Sequence, residues 1–450
     1  MNREPFDPRA YRDPRPSPGL IRALDPLNRR LLLPRLLKVR EIDLPAADLG
    51  RLRAAIHPGV AAFLAPNHPE FLTDWMLDKE LARQVSPLMA HWAAWEIVNR
   101  DRWTQAFLLQ NNLIANVSGG GGKDYSVRWA LQGHGVLLHP EGGATWHGDH
   151  VGPLAPGIVD MAWNTCRIVA RMMAKTPVAI VPMVWKYRFI GDASAGLDRE
   201  MALIERRLRL STGRGLALEK RFEALQWSVL LRRRERFGFM GPVGKSPLPP
   251  HDFFEVQATF AKHLLETLEG PYGRLEGDPP RAYHALRRTI RERAGQDPAA
   301  ARDALRRLRE IERLGYFARE IYDRPTLTQE QIAESLKQMR SALIAPRGLE
   351  GLLDLVPVPA APRAAHIRVL EPFQVQEAFA AGGDEAAAKA ALLGALRERM
   401  QAALDALNAQ IADTVERYRR PNPLHIGALA VPASAAGARL VLQAPGEPPP

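Results

Sequence analysis

Val60-Ala61-Ala62-Phe63-Leu64-Ala65-Pro66 runs without a charge into Asn67-His68-Pro69-Glu70 and then into Phe71-Leu72-Thr73-Asp74. A short apolar run closed by a proline is strand-sized and reads as a buried strand. The polar tetrapeptide reads as the turn at its carboxyl end. From residue 71 to 85 the apolar positions are Leu72, Met76, Leu77 and Leu81, the spacing of a helix with one buried face. The same strand–turn–helix grammar recurs downstream. Leu113-Ile114-Ala115-Asn116-Val117 follows the Asn111-Asn112 turn and enters Ser118 and four glycines, after which Asp124 can cap a helix to Leu131. Gly135-Val136-Leu137-Leu138-His139 is a third strand ending at Pro140-Glu141-Gly142-Gly143. A bulky apolar helix over about 158–174 leads to a fourth strand at 178–184. Strands alternating with helices indicate the α/β class, a mixed sheet flanked by helices.

The pattern changes near residue 191. Residues 196–346 are rich in Leu, Ala, Arg and Glu and read as several helices, among them 298–314 and 328–343. A strand-like segment returns only at Ala365-His366-Ile367-Arg368-Val369-Leu370, after a Pro/Ala linker at 356–362. Its apolar alternation buries one face, and its backbone groups need a sheet partner. The helical stretch offers none, so this strand is expected to rejoin the sheet beside 178–184. A long helix over about 384–418 follows. The expected organisation is a basic amphipathic N-terminal arm (1–45), the first part of the core (46–190), a large helical insertion (191–361), the last strand and C-terminal helix of the core (362–420) and an Ala/Pro-rich tail (421–450).

The chain has 450 residues, 46% of them hydrophobic and 25% charged, enough for a sizeable core. The one cysteine, Cys166, excludes an intramolecular disulfide framework and a cysteine-based zinc site. No apolar run reaches the roughly 18–20 residues of a membrane-spanning helix, and the first residues lack the apolar centre of a secretory signal. A soluble or peripheral protein on the cytoplasmic side is expected. The formal charge of +11 attracts polyanions. Residues 1–40 carry ten basic against four acidic residues. Their interleaved leucines and arginines suit either an anionic membrane surface or packing on the protein's own core, with Pro26 and Pro34 cutting the helix into short pieces. The arginine-rich run at 231–237 reads as a solvated helix face. No nucleic-acid motif accompanies it, so nucleic acid is not an expected partner.

Two strand ends carry chemistry. In an open α/β sheet, ligands bind beyond the carboxyl ends of strands. His68 with a nearby carboxylate can act as general base, the carboxylate fixing the tautomer. The Glu141-Gly142-Gly143 turn offers N–H donors and close backbone approach to an oxyanion. Asn67-His68 with Asp74, then Pro140-Glu141-Gly142 about 70 residues on, then Val181-Pro182 and Leu370-Glu371-Pro372, resemble the ordered blocks of the glycerolipid acyltransferases, which act on lysophosphatidic acid or glycerol 3-phosphate. The resemblance covers about residues 40–190 and 362–415. It implies that His68 and Asp74 together deprotonate an acceptor hydroxyl, which then attacks the thioester of acyl-CoA or acyl-carrier protein. It also implies a glycerolipid-acyltransferase-like fold, a lipid acceptor held near Asn67, Glu70, Glu141, Gly142 and Gly143, an anionic membrane surface as partner, and no cofactor beyond the acyl donor. The alternative is a catalytically silent lipid-binding or scaffolding protein that keeps this fold.

The sequence departs from the family pattern in two ways. Five residues rather than four separate His68 from Asp74, about 100° of rotation on a helix. Either the turn absorbs the extra residue, which is the preferred reading, or Glu70 takes the partner's place. The family's Phe-Pro-Glu-Gly-Thr-Arg-Ser block becomes His139-Pro140-Glu141-Gly142-Gly143-Ala144-Thr145, so Ala144 stands at its phosphate-associated arginine. The acceptor then lacks a phosphate, or Lys123 and Arg128 substitute. His134, His139, His147 and His150 lack the spacing of a helical metal motif, and no metal is expected. Gly119 to Lys123 is not a P-loop, because Val117 and Asp124 stand where that motif needs Gly and Ser or Thr. Cys166 reads as a core residue.

Overall fold

The computed structural model describes residues 7, 9–144, 149–210, 215–239, 252–274, 279–343 and 359–425. His147 and most of the tail expected at 421–450 lie outside them. The chain forms two compact units, one from residues 1–190 with 351–412, the other from 191–350 with 413–450.

The first unit is a mixed α/β layer structure. Among the described residues its eight strands are β1 (Val39–Asp43), β2 (Ala61–Pro66), β3 (Ala90–Ala94), β4 (Leu113–Asn116), β5 (Val136–Leu137), β6 (Val178–Phe189), β8 (Arg363–Val369) and β9 (Phe373–Gln374); β7 (Thr326–Leu327) belongs to the second unit. The order across the sheet is β1-β8-β6-β2-β5-β3-β4, with β9 beside β6. The pairs β1/β8, β2/β5, β2/β6, β3/β4 and β3/β5 are parallel, whereas β8 and β9 run antiparallel to β6. The flanking helices are α1 (Pro18–Leu27), α2 (Ala46–Ala55), α3 (Phe71–Val85), α4 (Trp95–Val98), α5 (Arg102–Gln110), α6 (Gly122–Leu131) and α7 (Gly157–Arg171).

β2 is buried along its whole length because both sheet faces are covered. Ala61, Phe63 and Ala65 enter one core with Ile158, Trp163 and Ile180, while Ala62 and Leu64 enter the other with Leu77, Trp185 and Ile367. Successive strand residues point to opposite faces, so a strand covered on both sides has no polar positions. From β2 the chain crosses to β3 on one side, and from β5 it crosses to β6 on the other. The carboxyl end of β2 is therefore the switch point where open sheets place ligands.

The late strand rejoins the sheet. β8 pairs with β6 from Met183 opposite Val369 to Phe189 opposite Arg363, and Ala365, Ile367 and Val369 form its core face. On its other edge it accepts β1, which the sequence reading did not foresee.

Residues 17–37 pack on the protein's own core, the second of the two readings of the N-terminal segment. Ser17 caps α1 through its side chain, with Pro18 in the first turn. Pro26 and Pro34 do not break the path. The chain continues from α1 into a π-helix at Asn28–Leu36. Its wider turn accommodates the missing N–H and the ring of Pro34. Ile21, Leu33 and Leu37 are buried, and Asn28 donates to the Met76 carbonyl of α3 at 2.9 Å. Leu27 and Leu31 remain exposed.

The second unit holds α8 (Ser194–Leu208), α9 (Leu218–Arg236), α10 (Phe253–Tyr272), α11 (Pro279–Arg293), α12 (Pro298–Tyr316), α13 (Arg319–Tyr322) and α14 (Gln329–Leu343). A two-stranded pair joins β7 (Thr326–Leu327) to β10 (Arg420–Pro421). The arginine-rich run is only partly solvated, since Arg234 is buried and Arg233 pairs with buried Glu310. The first unit closes with α15 (Val375–Ala380) and α16 (Glu385–Gln410), the latter shorter than expected.

Candidate active site

Asn67, the first residue beyond β2, extends the ladder with its side chain. Its Oδ1 accepts from the Trp185 N–H at 2.6 Å and its Nδ2 donates to the Trp185 carbonyl at 3.1 Å. This amide is 1% exposed, so it serves the backbone and not a substrate. Glu70 is extended, and α3 begins at the next residue. The extra residue between His68 and Asp74 is thus absorbed before the helix starts, and Asp74 reaches back from the first turn.

His68 Nδ1 lies 2.7 Å from Asp74 Oδ2, which also accepts the Glu70 N–H at 2.9 Å. The Tyr187 hydroxyl of β6 donates to the other oxygen. Asp74 is fully buried, and the His68 side chain is 11% exposed. The His68 Nε2 has no partner among the described residues. Burial, then the charge of His139, hold the His68 pKa well below the usual histidine value. Burial raises the pKa of Asp74, opposed by His139, the Tyr187 hydroxyl and the Glu70 N–H.

The second block meets the first. Glu141 accepts the His68 backbone N–H at 2.5 Å and the Gly152 N–H at 2.7 Å, so its carboxylate clamps the histidine turn to the loop that precedes α7. Gly142 adopts φ +75, the left-handed region that favours glycine. Its N–H donates to the His139 carbonyl at 3.2 Å, which removes it from the expected oxyanion donors. Gly143 is exposed and its N–H has no partner among the described residues. No protein-family model matches the chain, and no curated protein matches it at a significant level.

Glu70 does not face a substrate. It forms a two-pronged pair with Arg363 of β8, at 2.7 and 2.8 Å, and also accepts the Thr73 hydroxyl at 2.6 Å. Arg363 donates to the Leu37 carbonyl as well, and its guanidinium lies 4.8 Å from the Tyr187 ring. Lys123 and Arg128 are not drawn to the dyad either. Both are exposed on α6 and pair with Asp160 and Asp13 at 3.3 and 2.9 Å.

Four residues joined here were not singled out for these roles from sequence. Tyr187 and Arg363 come from β6 and β8 and carry no local signal. His139 stacks on His68, with ring centroids 4.1 Å apart and 21° between planes. Asp78 follows Asp74 by one helical turn, a spacing that puts two carboxylates on one face of α3 and was readable. Its Oδ2 lies 3.4 Å from His139 Nε2 and 3.8 Å from His91 Nδ1 of β3. Donor atoms of His68, Asp74 and His139 fall within 4.8 Å of one another, as a metal site would require. Asp74 is already engaged by three donors. His139 faces the Asn67 carbonyl with Nδ1 at 2.9 Å and Asp78 with Nε2. A carbonyl contact requires a protonated nitrogen, so Asp74 and His139 are committed, and the open Nε2 of His68 does not by itself make a metal site. Cys166 of α7 is 2% exposed within the core, and burial pushes its thiol up to about 12.

Proposed function

We propose that the chain is an acyltransferase that moves a fatty acyl group from the thioester of acyl-CoA or acyl-carrier protein to a hydroxyl of a glycerolipid or related acceptor. The observation that carries this reading is the His68–Asp74 pair. It stands at the carboxyl end of the central strand, with Nδ1 held at 2.7 Å and Nε2 open. Glu141 of the second block braces it from behind. The resemblance in ordered motifs and the return of β8 support the same reading.

In this mechanism the acceptor hydroxyl gives its proton to His68 Nε2 as its oxygen attacks the thioester carbonyl. Asp74 keeps the ring's other proton on Nδ1 and offsets the charge that forms. The Gly143 N–H is a donor of the second block for the oxyanion. Collapse breaks the C–S bond, and His68 returns its proton to the leaving thiolate. No acyl-enzyme forms in this reading, because among the described residues neither Ser nor Cys accompanies the histidine. Ala144 replaces the family's arginine, and Lys123 and Arg128 are paired elsewhere. An acceptor without a phosphate monoester is therefore the first to try.

Labelled acyl-CoA and acyl-carrier protein, each assayed against a panel of hydroxyl acceptors with and without phosphate, test the reading. Turnover that disappears in a folded His68→Ala variant supports it. No turnover with any pair, alongside saturable lipid binding, favours the silent lipid-binding alternative. Among the described residues no helix is long and apolar enough to cross a membrane. Peripheral attachment to an anionic surface is the proposed way for this chain to reach its acceptor.

A further inference from the structure

His139 occupies the position where the resembled family carries phenylalanine, yet here its ring is bound at both nitrogens. Nδ1 faces the Asn67 carbonyl at 2.9 Å and Nε2 faces the Asp78 carboxylate at 3.4 Å. Neither partner has a proton to give. A neutral imidazole can donate from only one nitrogen, so only the doubly protonated ring satisfies both. The face of that ring lies against His68 at 4.1 Å.

The geometry points to His139 as a fixed imidazolium that, by lying face-on to His68, keeps His68 uncharged with its proton on Nδ1 and its Nε2 lone pair open. This inference rests on the reading of His68 as general base and makes His139 a positioning residue for it. The balance of charges around the stack favours that outcome. From α3, Asp74 faces His68, while Asp78 faces His139 with Lys79 next along the helix. From β3, His91 faces Asp78. From β6, the Tyr187 hydroxyl is taken by Asp74. Glu70 is neutralised by Arg363 of β8, and Glu141 holds backbone N–H groups. The carboxylate aimed at the His139 ring nitrogens is thus Asp78, and the one aimed at His68 is Asp74.

The protonation preferences agree with the contacts. Burial alone would lower the pKa of His139, but Asp78 outweighs it and brings it up to about 9, while Asp78 itself falls to about 2. A second proton on His68 would place two like charges in ring contact, which like-charge neighbours disfavour. The base should therefore stay unprotonated below the ordinary histidine value of about 6.5. The acid limb of kcat/KM, which reports the base in the free enzyme, should lie correspondingly low.

The test is nitrogen NMR of the full-length chain labelled in histidine, titrated without any substrate. His68→Ala and His139→Phe variants supply the assignments. The expected result is protonation of both His139 nitrogens from pH 6 to about 8, with an unprotonated His68 Nε2 persisting below pH 6. In His139→Phe/Asp78→Asn, which keeps a stacked ring and removes the buried charge pair, the His68 titration should rise by about one pH unit or more. The acid limb of transfer should rise with it. An unprotonated His139 nitrogen at pH 7, or an unmoved His68 in the double variant, would overturn the inference. The wild-type spectra alone decide the first point, even if the variant fails to fold. Confirmed ring protonation without acyl transfer from any donor would instead count against the proposed function.

Discussion

Asp74 receives the His68 ring, the Glu70 N–H and the Tyr187 hydroxyl, whereas Glu70 commits both oxygens to Arg363. Two carboxylates on adjoining turns therefore fail differently. Asp74→Asn leaves the volume unchanged but removes the charge that selects the tautomer. It should lower kcat by roughly 10²–10⁴-fold, the range of a general base, with little change in melting temperature. Glu70→Gln strands a buried guanidinium, which typically costs about 3–5 kcal/mol, and the folded fraction should still turn over within a few-fold of normal. Parallel denaturant melts and kinetics check both; the reverse pattern would exchange their roles. Two further histidines set the pH window of stability. His139 holds its proton to about pH 9 when folded, against an unfolded value of about 6.5, so its contribution is complete below 6.5 and lost as pH rises toward 9. His91 is pushed down to about 4 by burial, so the folded state loses stability as pH falls below 6.5. Burial brings Lys79 down to about 8, so it adds stability as pH rises above 8. Between pH 6.5 and 8 the melting temperature should therefore fall with pH, and a steady rise over that window would contradict the imidazolium.

At the scale of elements, Asn67 shows how a strand end becomes a site. Its amide occupies both the N–H and the C=O of Trp185, so β2 stays in register with β6 one residue beyond its backbone ladder. Asn67→Ala would leave both groups buried and unmet, at about 1–3 kcal/mol each, and would slacken the turn that presents His68. Melting and kcat should fall together, unlike the separate losses of Asp74→Asn and Glu70→Gln. Much of this architecture was legible in sequence. β2, β6 and α3 declared themselves because each is long, strongly periodic or wholly apolar, and the two motif blocks marked the turns that meet. β3 was hidden because its sequence, Ala-His-Trp-Ala-Ala, carries little strand signal. β1 was hidden because Arg40 and Glu41 interrupt it, as suits the edge of a sheet. The Glu70–Arg363 pair could not be read at all, since nothing local links residues so far apart in the chain. For the same reason Glu70 looked available to a substrate.

For the whole molecule, the proposed attraction of a chain of charge +11 to anionic surfaces cannot be tested by simply removing the N-terminal segment. Leu33 and Leu37 belong to the core beside α3, and Asn28 holds Met76. Deleting residues 1–37 should abolish cooperative melting. Charge reversal at exposed Arg30 and Arg35 should instead weaken sedimentation with anionic vesicles in a salt-dependent way while the melt is kept. Unchanged vesicle binding would move the contact surface elsewhere. The first unit is further expected to stand alone. Replacing residues 191–360 by a short Gly/Ser linker, and ending the chain at 412, should give a protein that melts cooperatively; a molten product would show that the sheet needs the helical unit. The junction makes this reasonable, because the Ile190 N–H donates to the Pro362 carbonyl at 2.8 Å just where β6 pairs with β8. That same junction means the sheet does not depend on an unbroken chain between its two contributions. An engineered protease site at Gly295, in the exposed turn between α11 and α12, would divide the polypeptide into halves that each carry strands of one sheet. The halves should remain together after cleavage and, expressed from separate genes, should find one another, so that recovery of the His68 centre could report on the proximity of whatever proteins they are fused to.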